Sequence, residues 1–176
     1  ESRVFVSVVR SSTDLALLVQ WPVGRGDIDS PTAAGKNDEV TIYFPMTRGG
    51  TSPSTRGPVL DSCDARAPLS LWQWRASSGP PSKRDRQGSV QESNAAGLGP
   101  SVAQTGRRRH LSGQGTTKGE LQRVVLRRSL ATSDSRDVQL QGAVEVPIAF
   151  AVGDSSRRGE KGQRLHSAWQ FLRFGP

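Results

Sequence analysis

The sequence predicts an all-β fold, an antiparallel β-sandwich with long irregular loops. Three observations lead there. Short runs of apolar residues alternate with polar ones, the period of a half-buried strand. Clusters of Gly, Pro, Ser, Asp and Asn separate the runs and read as turns and loops. Nowhere do apolar residues recur at helical spacing over three turns, so no helix is predicted.

Arg3–Val9 sets Val4, Val6 and Val8 against Phe5, Ser7 and Val9 and reads as a strand. Ser11–Asp14 is a short polar turn and Leu15–Trp21 the returning strand, together an antiparallel hairpin. Pro22–Asn37 is a loop full of Gly, Asp and Pro. Glu39–Phe44 is a third strand, ended by Pro45. Thr47–Pro58 reads as a loop. Leu69–Trp74 is a short strand in which Trp72 and Trp74, two apart, leave the same face. Ser77–Gly119 has almost no periodicity and is expected to be one long loop. Leu121–Leu126 is a strand with Arg127–Arg128 at its end. Val144–Val152 is the clearest strand, Gly153–Gly162 a polar turn, and Leu165–Phe174 closes the sheet. A length of 176 residues suits a single domain over 1–176.

The net charge is +8 and arginine far outnumbers lysine, which occurs only at Lys36, Lys83, Lys118 and Lys161. Such a balance suits an acidic partner, nucleic acid or an anionic surface; the plainer reading is solvated loops and a docking face. The longest apolar stretch, near Val146–Val152, is far too short to span a membrane. No signal-peptide pattern is visible. The single cysteine, Cys63, forms no intrachain disulfide but offers one thiolate as a soft ligand.

Catalytic sets fail one by one. Serines abound beside His110 and His166, but no nucleophile-elbow sequence is present. There is no paired-cysteine or HExxH zinc signature, and no phosphate-binding glycine loop follows a strand. Asp61 and Asp64 suit a turn cap better than acid–base work. The basic run Arg107–Arg108–Arg109–His110 could neutralise phosphates. It lacks interleaved aromatics and any known binding motif, so a solvated loop or one docked on an acidic partner fits it better. Neither an enzyme nor nucleic-acid binding is expected. Ligand atoms can be enumerated: sulfur from Met46 and Cys63, nitrogen from His110, His166 and the four lysines. Met46 and Cys63 precede the Trp72–Trp74 strand; Lys161 and His166 flank the last turn. That distribution permits one iron ligand from each of two loops, although loop packing for Met46, a small buried residue for Cys63 and a hydrogen-bonded strand residue for His166 explain each singly.

Three segments carry a resemblance. The first is Trp21–Pro22 followed by Asn37–Pro45 (NDEVTIYFP). The second is Ala67–Ala76 (APLSLWQWRA). The third is Val146–Asp154 (VPIAFAVGD) followed by Ser167–Ala168–Trp169. In order and spacing, and with Arg123–Leu130 (RVVLRRSL) before the last hairpin, the chain resembles the haem-b-binding γ subunits of the ethylbenzene dehydrogenase group. Similar subunits serve dimethylsulfide dehydrogenase, selenate reductase, chlorate reductase and nitrite oxidoreductase.

The resemblance implies a β-sandwich holding one haem b through a methionine and a lysine. It implies a periplasmic or exported heterotrimer with an iron–sulfur subunit and a molybdenum catalytic subunit, passing electrons to or from a soluble cytochrome. The chain departs from the pattern at both ligands. The methionine's place falls at Ser62–Cys63, so Cys63 is the first candidate on that side and Met46 the second. The lysine's place holds Arg164, a poor ligand because it stays protonated. Lys161, three residues earlier, is the first replacement, and His166, on the same strand face as residue 164, the second. Trp72, Trp74 and Phe150 are expected to be core or haem-wall residues, and Arg75 to pair with the haem propionates. Two other readings stand beside this one: a carbohydrate- or partner-binding sandwich with Trp72 and Trp74 as a stacking pair, and a basic nucleic-acid-binding module.

Overall fold

A computed structural model describes residues 3–22, 38–46, 68–76, 88–97, 100–106, 110–118, 120–153 and 164–174. Its strands are β1 (Phe5–Arg10), β2 (Asp14–Pro22), β3 (Glu39–Pro45), β4 (Pro68–Arg75), β5 (Ser89–Ala96), β6 (Ser101–Ala103), β7 (Ser112–Lys118), β8 (Leu121–Ser129), β9 (Glu145–Gly153), β10 (Arg164–His166) and β11 (Gln170–Arg173). They form two antiparallel sheets. One runs β1-β2-β8-β7, the other β10-β9-β3-β4-β5-β6, with β11 also on β9. The fold is an all-β sandwich, and no α-helix occurs among the described residues.

Alternation explains how the sheets meet. In β2 the residues Leu15, Leu17, Val19 and Trp21 are buried while their neighbours are partly exposed. From β8 come Val124 and Leu126. The facing sheet contributes Val40, Ile42 and Phe44 of β3, Trp72 and Trp74 of β4, and Ile148, Phe150 and Val152 of β9. Trp21 and Trp74 meet edge to face across the layers at 6.4 Å. Strands β3 and β4 lie in the middle of their sheet and are buried on both faces. Leu130, Val138 and Leu140 add to the same core from the connection between β8 and β9.

The predicted hairpin, the third strand, the tryptophan strand and the Val144–Val152 strand all form. Two expectations are corrected. Ser77–Gly119 is not a single loop: its described part holds β5, β6 and β7. These strands carry few apolar residues because β6 and β7 are sheet edges, and because β5 and β7 press small or polar side chains against the core. Likewise β8 does not end at Leu126. It continues through Arg127 and Arg128 to Ser129, paired with β2 all the way. The alternation turns Arg128 inward, where Glu92 of β5 receives it at 2.7 Å. The loops expected over Pro22–Asn37 and Thr47–Pro58 and the turn over Gly153–Gly162 lie outside the described residues except for Pro22 and Gly153. Cys63, Lys161 and Arg107–Arg109 also lie outside them.

Candidate functional site

The three segments that carry the resemblance become neighbouring strands. β3 pairs with β4 on one side and β9 on the other, over consecutive residues. Their outward side chains follow from register. Tyr43 sits level with Leu71 and Ala149, Thr41 with Gln73 and Ala151, and Glu39 with Arg75 and Gly153. Strand β10 extends two of these rows, His166 beside Ala151 and Arg164 beside Gly153.

Between β10 and β11 the register on β9 slips by one residue, from His166 opposite Ala151 to Gln170 opposite Ile148. This is a bulge at Ser167–Trp169, and it reverses the alternation. Ser167 holds it in place. Its backbone N–H donates to the Phe150 carbonyl at 2.8 Å, and its hydroxyl oxygen accepts the Phe150 N–H at 2.9 Å. Because of the slip, Trp169 joins His166 on the outer face. There Tyr43, Leu69, Leu71, Ala95, Ala149, Ala151 and Trp169 make a second buried cluster. A polar row lies beside it. The Ser93 hydroxyl donates to Gln73 Oε1 at 3.2 Å, and the Gln73 amide donates to Thr41 Oγ1 at 3.5 Å.

His166 is the chemically distinctive residue of this face. Its ring centroid stands 6.2 Å from that of Tyr43. Burial, and secondarily the Arg164 charge, lower its pKa below the ordinary imidazole value. The ring is therefore neutral at pH 7, the form that binds metal ions. Nδ1 is buried with no hydrogen-bond partner among the described residues, and Trp169 Nε1 is in the same position. Nδ1 is closed off, so Nε2 is the ring nitrogen that could serve as a ligand of haem iron. Arg164, at the place where the resemblance puts a lysine, is bonded to Glu39, which also binds Arg75 at 2.9 Å. One carboxylate thus holds two guanidinium groups.

The remaining candidates are spread out. Trp72 and Trp74 share a face as expected, but it is the inner one. They are 0% and 2% exposed, and Phe44 packs 4.7 Å from Trp72. Phe150 is also on the inner side, beside a cleft described below. Arg75 is on the outer face and exposed. Met46 follows β3, its backbone N–H bonded to the Pro68 carbonyl at 2.8 Å. It is five residues beyond Thr41, whose row leads to His166. At about 3.3 Å per residue this separates them by roughly 17 Å along the strand. That is too far for both side chains to meet one iron atom. Met46 and His166 are therefore not brought together, and a ligand opposite His166 has to come from elsewhere. Cys63 precedes Pro68 by five residues in the sequence and Lys161 precedes Arg164 by three, and both lie outside the described residues.

Two features were missed in the sequence. One is Glu39 as the common partner of Arg75 and Arg164. The other is the Arg128–Glu92 pair, to which the Arg128 ring contact adds: its guanidinium lies 4.9 Å over Trp72. Glu92 also accepts the His110 backbone N–H at 3.3 Å, and Arg128 donates to the Val138 carbonyl. An arginine in the inward frame of an apolar strand, as in Val124–Leu126–Arg128, was the available signal. Among the described residues no group of three His, Cys, Asp or Glu side chains is placed to hold a metal ion. The described residues include no helix long and apolar enough to cross a membrane. No protein-family model matches the chain, and neither does any curated protein sequence.

Proposed function

We propose that this chain is a non-catalytic electron-transfer subunit that carries one haem b on the outer face of its seven-stranded sheet. It relays electrons between the iron–sulfur subunit of a molybdenum oxidoreductase and a soluble cytochrome in an exported or periplasmic complex. The observation that carries the reading is His166: a neutral imidazole on a face assembled from the segments that carry the family resemblance.

When bound, haem b supplies a one-electron iron couple. The chain's own residues do the rest. His166 would offer one ligand nitrogen and Cys63 is the candidate for the other ligand, Met46 being too far from His166 to share one iron atom with it. Lys161 is the alternative to His166 and would have to be neutral to bind. A thiolate from Cys63 would lower the iron's potential. Glu39 already occupies Arg75, so a propionate would compete with that carboxylate for the guanidinium.

The carbohydrate reading needs exposed indole faces, and Trp72 and Trp74 have none. The reading is tested by absorption spectra of the purified or haem-reconstituted chain, oxidised and reduced. A Soret band with a b-type reduced α-band supports it, and a folded chain that takes up no haem rejects it. His166→Ala and Lys161→Ala then separate the two candidates on that side by which one changes the spectrum.

A further inference from the structure

The two sheets do not close along their β1 and β10–β11 edges. Between them runs a groove of two joined cavities, about 480 Å³ and about 590 Å³, that share Val8 and Leu172. Each volume is in the range of small-molecule sites. Alternation in the first strand gives one wall, Val4, Val6 and Val8, and β9 gives the other, Ile148, Phe150 and Val152. The same alternation brings the next inward residue, Arg10, to the far end. Its guanidinium lies 4.2 Å from the Phe174 ring and donates to the Ala143 carbonyl at 3.2 Å. Among the described residues no carboxylate pairs with it, whereas Arg173 beside it is bonded to Glu145 at 2.7 Å. The first cavity is thus mainly apolar, and the second, more polar one ends in a cation without a counter-charge among the described residues.

We propose that this groove binds a free long-chain fatty acid, with the acyl chain between the valines and β9 and the carboxylate on Arg10. From Val4 to Arg10 the strand covers six residues, roughly 20 Å at strand rise, which matches an extended palmitoyl chain. A charged carboxylate–guanidinium bond anchors one end, and burial of methylenes supplies the remaining affinity. His166, Ser167 and Gln170 also line the first cavity, but the contacts proposed for the acid are the valines, β9 and Arg10, so palmitate binding is read by calorimetry independently of the haem spectrum.

The test is titration of the full chain with palmitate, followed by calorimetry and by native mass spectrometry. One palmitate per chain is expected. Hexadecanol, with the same tail and no carboxylate, binds at least about tenfold more weakly, and Arg10→Gln weakens palmitate by a similar factor. Val8→Trp fills the joint between the cavities at a position already 36% exposed, and removes binding while the fold persists by circular dichroism. The proposal is overturned if the folded chain binds no palmitate, if hexadecanol binds as tightly as palmitate, or if both variants keep wild-type affinity.

Discussion

Arg128 of β8 and Glu92 of β5 are bonded at 2.7 Å between the two sheets, and neither side chain reaches solvent. Removing two charges from water costs several kcal/mol per ion, and only close pairing with further hydrogen bonds offsets that. Both conditions are met here. Glu92 takes the Arg128 guanidinium and the His110 N–H, while Arg128 also serves the Val138 carbonyl and covers the Trp72 ring. The pair links β5, β8, the β8–β9 connection and the core tryptophan.

Removing either partner alone therefore strands a buried charge. Arg128→Met or Glu92→Gln should lower unfolding stability by about 3–5 kcal/mol. The double replacement Arg128→Met with Glu92→Met should recover much of that loss. Urea unfolding of the four proteins measures it. Additive losses in the double variant would show that the two side chains are not coupled.

A second prediction concerns the Trp74 indole. A Cβ on Gly115 would stand 2.1 Å from Trp74 Cζ2, and one on Gly88 would stand 2.3 Å from Trp74 Nε1. Gly88 also has φ near +71°, where other residues are strained. Gly115→Ala should cost about 1–3 kcal/mol through overpacking and shift tryptophan emission. Trp74→Phe in the same chain should relieve part of the cost. A Gly115→Ala protein with unchanged melting temperature and emission would contradict this packing.

These glycines also show why part of the fold was hidden in the sequence. Strands β2, β3, β4, β8 and β9 were legible because each must fill the core, and Leu15–Leu17–Val19–Trp21 states the period plainly. Strand β7, SGQGTTK, has no apolar residue, since its contribution is room for Trp74 rather than bulk. Strand β5, SVQESNAA, places Glu92 inward, which looks like a surface residue until Arg128 is known to face it. At the site, His166 was legible as a ligand type. The bulge that brings Trp169 to the same face was not, because a one-residue slip leaves no mark in composition.

The pH dependence follows from His166. Its folded pKa is below the ordinary value of about 6.5, so the unfolded chain binds the proton more readily. Its contribution is complete above that ordinary value and is lost as pH falls through and below it. The thermal midpoint should drop between about pH 7.5 and pH 5.5, and His166→Gln should flatten that slope. An equal slope in the variant would assign the dependence to other groups.

Glu39 supplies a fourth prediction. It separates Arg75 from Arg164, so Glu39→Gln leaves two like charges side by side with no counter-ion. The variant should melt below Arg75→Gln, and added salt should narrow the difference by screening. Equal melting temperatures at low salt would mean that Glu39 does not join the two arginines.

The central claim is that this sandwich carries haem b with His166 as an axial ligand. Absorption spectra of the haem-reconstituted chain and of His166→Ala, oxidised and reduced, test it most directly. The account predicts a Soret band and a b-type reduced α-band in the parent chain, shifted or lost in the variant. A folded parent chain without a Soret band after reconstitution, or a spectrum identical in the variant, would contradict it.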